Sequence, residues 1–242
     1  MLPSPLVPKL PRLVGARLLD APLAALAWLM LERGVPVIVA GREAPVVGAL
    51  LDALSAALPR DRRPDPAAGP KGDRLVRVAE RLGVGTPPGI LRAALGATTG
   101  RSGLALAVEA NDLAGVLDVL HGQGLTDDEI AFMGVVLVLG GRDTGSAAGA
   151  TDGGGPDAGG PARLVAAHYL RPVVLDAGGH PRRLPPAVLA TWDPAADAWD
   201  DYTWGIAADL AERARMRLGD LEAELDRRAA ALADHASGEP VG

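Results

Sequence analysis

Apolar positions along this chain fall into short blocks that alternate between two periods. From Ala16 to Arg33 the apolar residues Leu19, Leu23, Leu26 and Met30 recur three or four apart, which predicts a helix ended by Gly34. Val35 to Ala40 (VPVIVA) is an almost unbroken, β-branched run, the pattern of a strand buried on both faces. Gly41 to Gly48 then reads as a loop and Ala49 to Leu58 as a second helix. The alternation continues. Strands are predicted over Leu75 to Ala79, Gly103 to Ala110 and Gly134 to Gly140, and helices over Ile90 to Ala97 and Leu113 to His121. Thr126 followed by Glu129 has the spacing of a capping box at a helix start.

Beyond residue 162 the pattern changes. Arg163 to Leu175 and Val188 to Trp192 predict strands that pair antiparallel across the turn region at Gly178-Gly179. Residues 205–236 carry apolar positions at helical spacing, with a break expected near Gly219-Asp220. Two stretches stand apart. Residues 1–15 are Pro-punctuated and read as an extended lead-in; residues 141–161 are a Gly/Ala/Asp tract too polar to bury a core and are predicted to be a disordered insert. The expected organisation is therefore a core over 16–140, with 162–242 completing the same domain. Strands alternating with helices predict a three-layer α/β fold with a mostly parallel sheet, an architecture that binds ligands at the carboxyl ends of its strands.

Composition narrows the functional classes. Apolar residues make up 48% of the 242, enough for a large core. The formal net charge is −6 and no Arg/Lys stripe occurs, so nucleic acid is not an expected partner. There is no cysteine, which excludes disulfide frameworks and thiolate metal sites. The longest apolar run, Ala21 to Leu31, is too short to span a bilayer, and the first residues lack the apolar core of a signal peptide. A cytoplasmic protein is expected.

The loop after the first strand carries the most specific chemistry. A phosphate-binding loop needs a strand, then G-x-x-x-x-G-K-[S/T], then a helix: glycines let backbone N–H groups face phosphate, the Lys neutralises it, and the hydroxyl binds magnesium. In PVIVAGREAPVVGALLDAL the frame is present and Gly41 matches the first glycine. Val46 stands at the second glycine, Val47 at the Lys and Gly48 at the Ser/Thr.

The stretch PLAALAWLMLERGVPVIVAGREAPVVGALLDALSAALP resembles the P-loop region of type II/type IV secretion and pilus-assembly ATPases. LVRVAERLG resembles that family's Walker B strand, with Glu80 at the glutamate and Ala79 at the preceding glycine. ATTGRSGLALAVEANDLAGVLDVL resembles its histidine-box region: Thr99 and Gly100 match, Arg101 replaces the first histidine and Glu109 the second. LATWDPAADAW is similar to a Trp-Asp-Pro segment found late in its relatives. The resemblance covers residues 16–140 and, more loosely, 162–204. It implies a P-loop NTPase (RecA-like) core, ATP and Mg2+ as ligands if binding is retained, and oligomeric assembly with copies of itself or other secretion/pilus ATPase subunits, docked on a membrane complex.

On this reading the degenerate nucleotide loop comprises Gly41, Arg42, Glu43, Ala44, Pro45, Val46, Val47, Gly48 and Ala49. Losing the Lys, the second glycine and the hydroxyl together makes hydrolysis very slow, since charge-assisted contacts are worth roughly 1.5–3 kcal/mol each. Arg42 and Arg101 are the two cations that could compensate. Glu80 admits two readings, a Walker B acid that polarises water or a solvated carboxylate capping a strand; Glu109 reads as a rim carboxylate. His121, His168, His180 and His235 show no metal spacing, and Asp127-Asp128-Glu129 is the acidic start that a helix N-terminus favours. Trp192, Trp199 and Trp204 are expected to pin a C-terminal segment to the core. Three functions follow: a weakly active or inactive subunit of a secretion or pilus assembly, an active ATPase with an atypical loop, or an unrelated α/β binding module.

Overall fold

The structure is a computed structural model that describes residues 9–64, 74–98, 102–140, 162–176 and 178–237. The expected disordered insert at 141–161 lies outside the described residues, as do residues 1–8 of the lead-in.

The chain folds as a mixed α/β domain around one seven-stranded sheet. Helices α1 (Lys9–Gly15), α2 (Ala21–Glu32) and α3 (Ala44–Ala57) bracket strand β1 (Val37–Ala40). There follow β2 (Val76–Leu82), α4 (Ile90–Ala97), β3 (Leu104–Val108), α5 (Leu113–Gly122), α6 (Asp127–Ala131) and β4 (Gly134–Gly140). The C-terminal part adds β5 (Arg163–Leu170), β6 (Val174–Leu175), β7 (Pro181–Arg182), β8 (Ala187–Asp193), β9 (Ala198–Asp201), α7 (Ala207–Arg213) and α8 (Leu218–Ser237). Strand order is β2-β3-β1-β4-β5-β8-β9, and β6-β7 form a separate two-stranded hairpin. The first four strands run parallel; β5, β8 and β9 extend the sheet by antiparallel pairing.

Alternation along β1 sorts the core into two layers. Val37 and Val39 pack with α1, α2, α3, α7 and α8, whereas Ile38 and Ala40 face α4, α5 and α6. All four β1 side chains are buried, so the VIVA run is apolar throughout rather than alternating. Gly134, at the start of β4, is required by close approach: φ is +73°, and a Cβ there would stand 2.8 Å from the Pro36 carbonyl oxygen. Helix α8 is tied to α2 through Arg228, which is buried, pairs with Glu32 at 2.8 Å and Glu224 at 2.7 Å, and lies 4.2 Å over the Trp28 ring.

Several sequence expectations are met. The Thr126–Glu129 capping box is present in both directions. Strands β5 and β8 pair antiparallel as expected, but the strand predicted over Arg163 to Leu175 ends at Leu170, and the Gly178-Gly179 turn closes the separate β6-β7 hairpin instead. The Trp-Asp-Pro segment is the β8-β9 hairpin: Trp192 and Trp199 sit opposite each other, 4.6 Å apart edge to face, and the Trp199 indole donates to Leu164 O. Trp199 thus pins this segment to β5.

Other expectations are corrected. The lead-in is not extended throughout, since Lys9–Gly15 forms α1 and buries Leu10 against the core. The predicted helix from Ala16 starts at Ala21, because Asp20 caps it by accepting from Leu23 N at 2.9 Å and Pro22 occupies its first turn. The C-terminal break falls at Ala214–Arg217, where Arg215 adopts φ +55°, and Gly219 lies inside α8. Trp204 does not pin anything: its side chain is 81% exposed.

Candidate functional site at the carboxyl edge of the parallel strands

The connection after β1 runs across one face of the sheet to β2, while that after β3 runs across the other to β4. Their divergence opens a crevice at the carboxyl ends of β1, β3 and β4, the place where open α/β sheets bind ligands. Its walls are Arg42, Glu43, Val46, Asn111, Leu139, Gly140 and Ala162, and its volume is about 40 Å3. That holds a few waters, far short of the 300 Å3 or more typical of small-molecule sites.

The crevice is small because the turn after β1 is short. The expected loop from Gly41 to Gly48 is confined to Gly41, Arg42 and Glu43; Ala44 to Ala49 are already helical in α3. The cause is local. Pro45 occupies the first turn of α3, where its fixed φ favours helix, and Val46 N and Val47 N both donate to Glu43 O at 3.0 and 3.1 Å. A phosphate cradle needs free N–H groups at this point. Here one is absent from proline and the next two are turned back into the helix.

Gly41 has a packing reason to be glycine. An added Cβ would lie 3.0 Å from Val47 Cγ2 and 3.1 Å from Leu139 Cβ. Val47, at the lysine position, is 1% exposed and fills the space above Gly41 as part of the core. Gly48 has no hydroxyl to offer a metal. The residues present therefore do not fit a magnesium-bound triphosphate.

Arg81 closes the turn from the opposite side. From β2 it reaches over β3, donates from Nη2 to Gly41 O, and donates to Arg42 O at 2.9 Å. Its other terminal nitrogen lies 3.7 Å from Glu109 Oε2. Two carbonyls of the turn after β1 are thus satisfied by a guanidinium whose side chain is 21% exposed. The sequence carries no signal for this role, because β2 has an irregular register. Arg77 pairs with Ala105 and Arg81 with Ala107, so β2 spends four residues where β3 spends two. The bulge keeps Arg77 and Arg81 on the α3 face, where Arg77 pairs with Asp52, and expels Ala79 and Glu80 to solvent.

The Glu80 carboxylate is accordingly exposed, with no hydrogen bond or ion pair among the described residues. Glu109 ends β3 at the rim and faces Arg81, the rim placement read for it above. Arg42 is exposed and unpaired among the described residues, the remaining free cation on the crevice wall. Thr99, Gly100 and Arg101 lie outside the described residues. Asp127 and Asp128 are bridged by Arg183 at 2.6 and 2.9 Å, and Glu129 serves the capping box. No helix among the described residues is long and apolar enough to cross a membrane.

The arrangement can hold a turn rigidly. It offers neither a lysine nor a hydroxyl, and Glu80, which admitted both an acid and a solvated-carboxylate reading, is exposed on the bulge of β2. Neither a protein-family model nor a curated protein matches this chain.

Proposed function

We propose that this chain is a catalytically silent relative of secretion and pilus-assembly ATPases that serves as a structural subunit of such an assembly on its cytoplasmic side. The observation that carries this reading is the closed turn after β1, where Val47 plugs the lysine position and Arg81 binds the carbonyls of Gly41 and Arg42. The order of elements and the resemblance over residues 16–140 support descent from a P-loop NTPase; the turn supports the loss of its chemistry. ATP and Mg2+ are then not part of its working cycle, and its contribution is a rigid α/β body that contacts other subunits.

Calorimetric titration with MgATP, together with a phosphate-release assay, tests this directly. The expected result is no binding heat at millimolar nucleotide and no turnover above background. Turnover that disappears in Glu80→Gln would instead establish an active ATPase with an atypical loop.

A further inference from the structure

Two exposed features of opposite charge lie on either side of α7. On one side Trp204 stands 81% exposed beside a groove between α2 and α8. Asp20, Asp201, Glu222 and Asp226 line that groove, no Lys or Arg does, and none of the four carboxylates makes an ion pair among the described residues. The knob is therefore a large aromatic ring set in uncompensated negative charge.

On the other side of α7 is a cleft of about 590 Å3. Arg33, Arg171, Arg213 and Arg215 line it, against Asp209 and Glu212, and Arg171 is already paired with Asp209 at 2.7 Å. Arg33 and Arg215 are exposed, and their guanidinium groups make no hydrogen bond or ion pair among the described residues. The cleft also presents exposed apolar surface: Phe132, Val174 and Leu175, the last 70% exposed at the β6-β7 hairpin. Arg213 lies 4.1 Å over the Phe132 ring, so the floor already pairs a cation with an aromatic face.

We infer that the occupant of this cleft is a second copy of the chain, whose Trp204 enters among Phe132, Leu175 and the arginines while Glu222 and Asp226 face Arg33 and Arg215. Complementarity of charge and of form supports one solution. A ring in an acidic surround on one face matches an apolar, basic hollow large enough to take it on another, and Trp and Arg are the residue types that dominate interface energetics. The two patches are different surfaces of the same molecule, so the contact is heterologous: each copy uses its acidic knob toward one neighbour and its basic cleft toward the next. The inference rests on these two surfaces and not on the reading of the β1 turn, so it stands or falls independently of ATP binding.

Sedimentation velocity from 1 µM to several hundred µM tests it. Association should rise with concentration and weaken with added salt. Trp204→Ala and Arg215→Glu, both at exposed positions, should each leave the circular-dichroism spectrum and melting temperature unchanged while weakening association roughly tenfold or more. Mixing the two variants is the decisive experiment. Each keeps one intact face, so together they should form a dimer that grows no further. A wild-type chain that stays monomeric throughout, variants that associate as wild type does, or a mixture that remains monomeric while wild type associates would each overturn the inference.

Discussion

Arg81 lies near the end of β2 and Arg42 in the turn after β1, two strands that do not touch, yet the guanidinium of the first donates to the carbonyl of the second at 2.9 Å, across β3. A hydrogen bond from a charged donor in a partly shielded place is worth about 1.5–3 kcal/mol, and the partial exposure of Arg81 points to the lower end. Arg81→Ala should destabilise the domain by that amount in urea unfolding and increase hydrogen exchange in the first turns of α3. Arg81→Lys should not restore protection, because an ammonium cannot span both carbonyls with a planar fork. Unchanged exchange at Val46 and Val47 would show that the clamp does not hold the turn.

Returning the missing lysine is the converse test. Val47→Lys recreates the consensus cation, but its side chain begins in the core above Gly41. The variant should lose on the order of 3 kcal/mol and gain no nucleotide affinity, since desolvating an ammonium outweighs any contact it could make. Calorimetric ATP binding by a stably folded Val47→Lys chain would contradict the packing role given to this position.

Gly41→Ala should cost about 1–3 kcal/mol through overpacking against Val47 and Leu139. Because Val47 Cγ2 is the nearest atom to the new methyl, Val47→Ala should relieve part of that cost. A double-mutant cycle by chemical denaturation should therefore return a coupling energy of about 0.5–3 kcal/mol. Additive losses would show that Gly41 is needed for its backbone rather than for space.

Tyr169 is fully buried in β5, and its hydroxyl has no partner among the described residues. Burial pushes its pKa from 10 up to about 12. The pKa is raised in the folded state, so the contribution to stability is complete below pH 10 and is lost as pH rises from 10 to 12, where the unfolded chain ionises first. Tyr169→Phe should abolish that loss. It should also raise stability at neutral pH by about 1 kcal/mol by removing an unsatisfied polar group. Equal alkaline unfolding of wild type and variant, followed by circular dichroism, would exclude Tyr169 as the cause.

Much of the fold was legible because burial dictates residue type. The VIVA, LALAV and GVVLVLG runs are apolar on every position for the reason that helices cover both faces of their strands. The Thr126 cap was legible because its two hydrogen bonds are local. The turn after β1 was misread because the phosphate-loop frame suggested eight residues of loop, while the proline at position 45, a helix-start signal, argued for α3 to begin early. Arg81 could not have been found. Its role depends on a two-residue register slip between β2 and β3, and nothing in VRVAERL distinguishes the arginine that turns inward from the glutamate beside it.

That same slip has a consequence at the margin of the sheet. β2 is one of the two outermost strands, and an uninterrupted outer strand is a template on which another chain can add by backbone pairing. Ala79 and Glu80, pushed out of line, break the row of donors and acceptors near its middle and set a charge there. At the far margin β9 is four residues long and ends in Asp200 and Asp201. Both open borders of the sheet are thereby unsuited to amyloid-like growth, so contacts between copies are directed away from strand addition and toward side-chain surfaces.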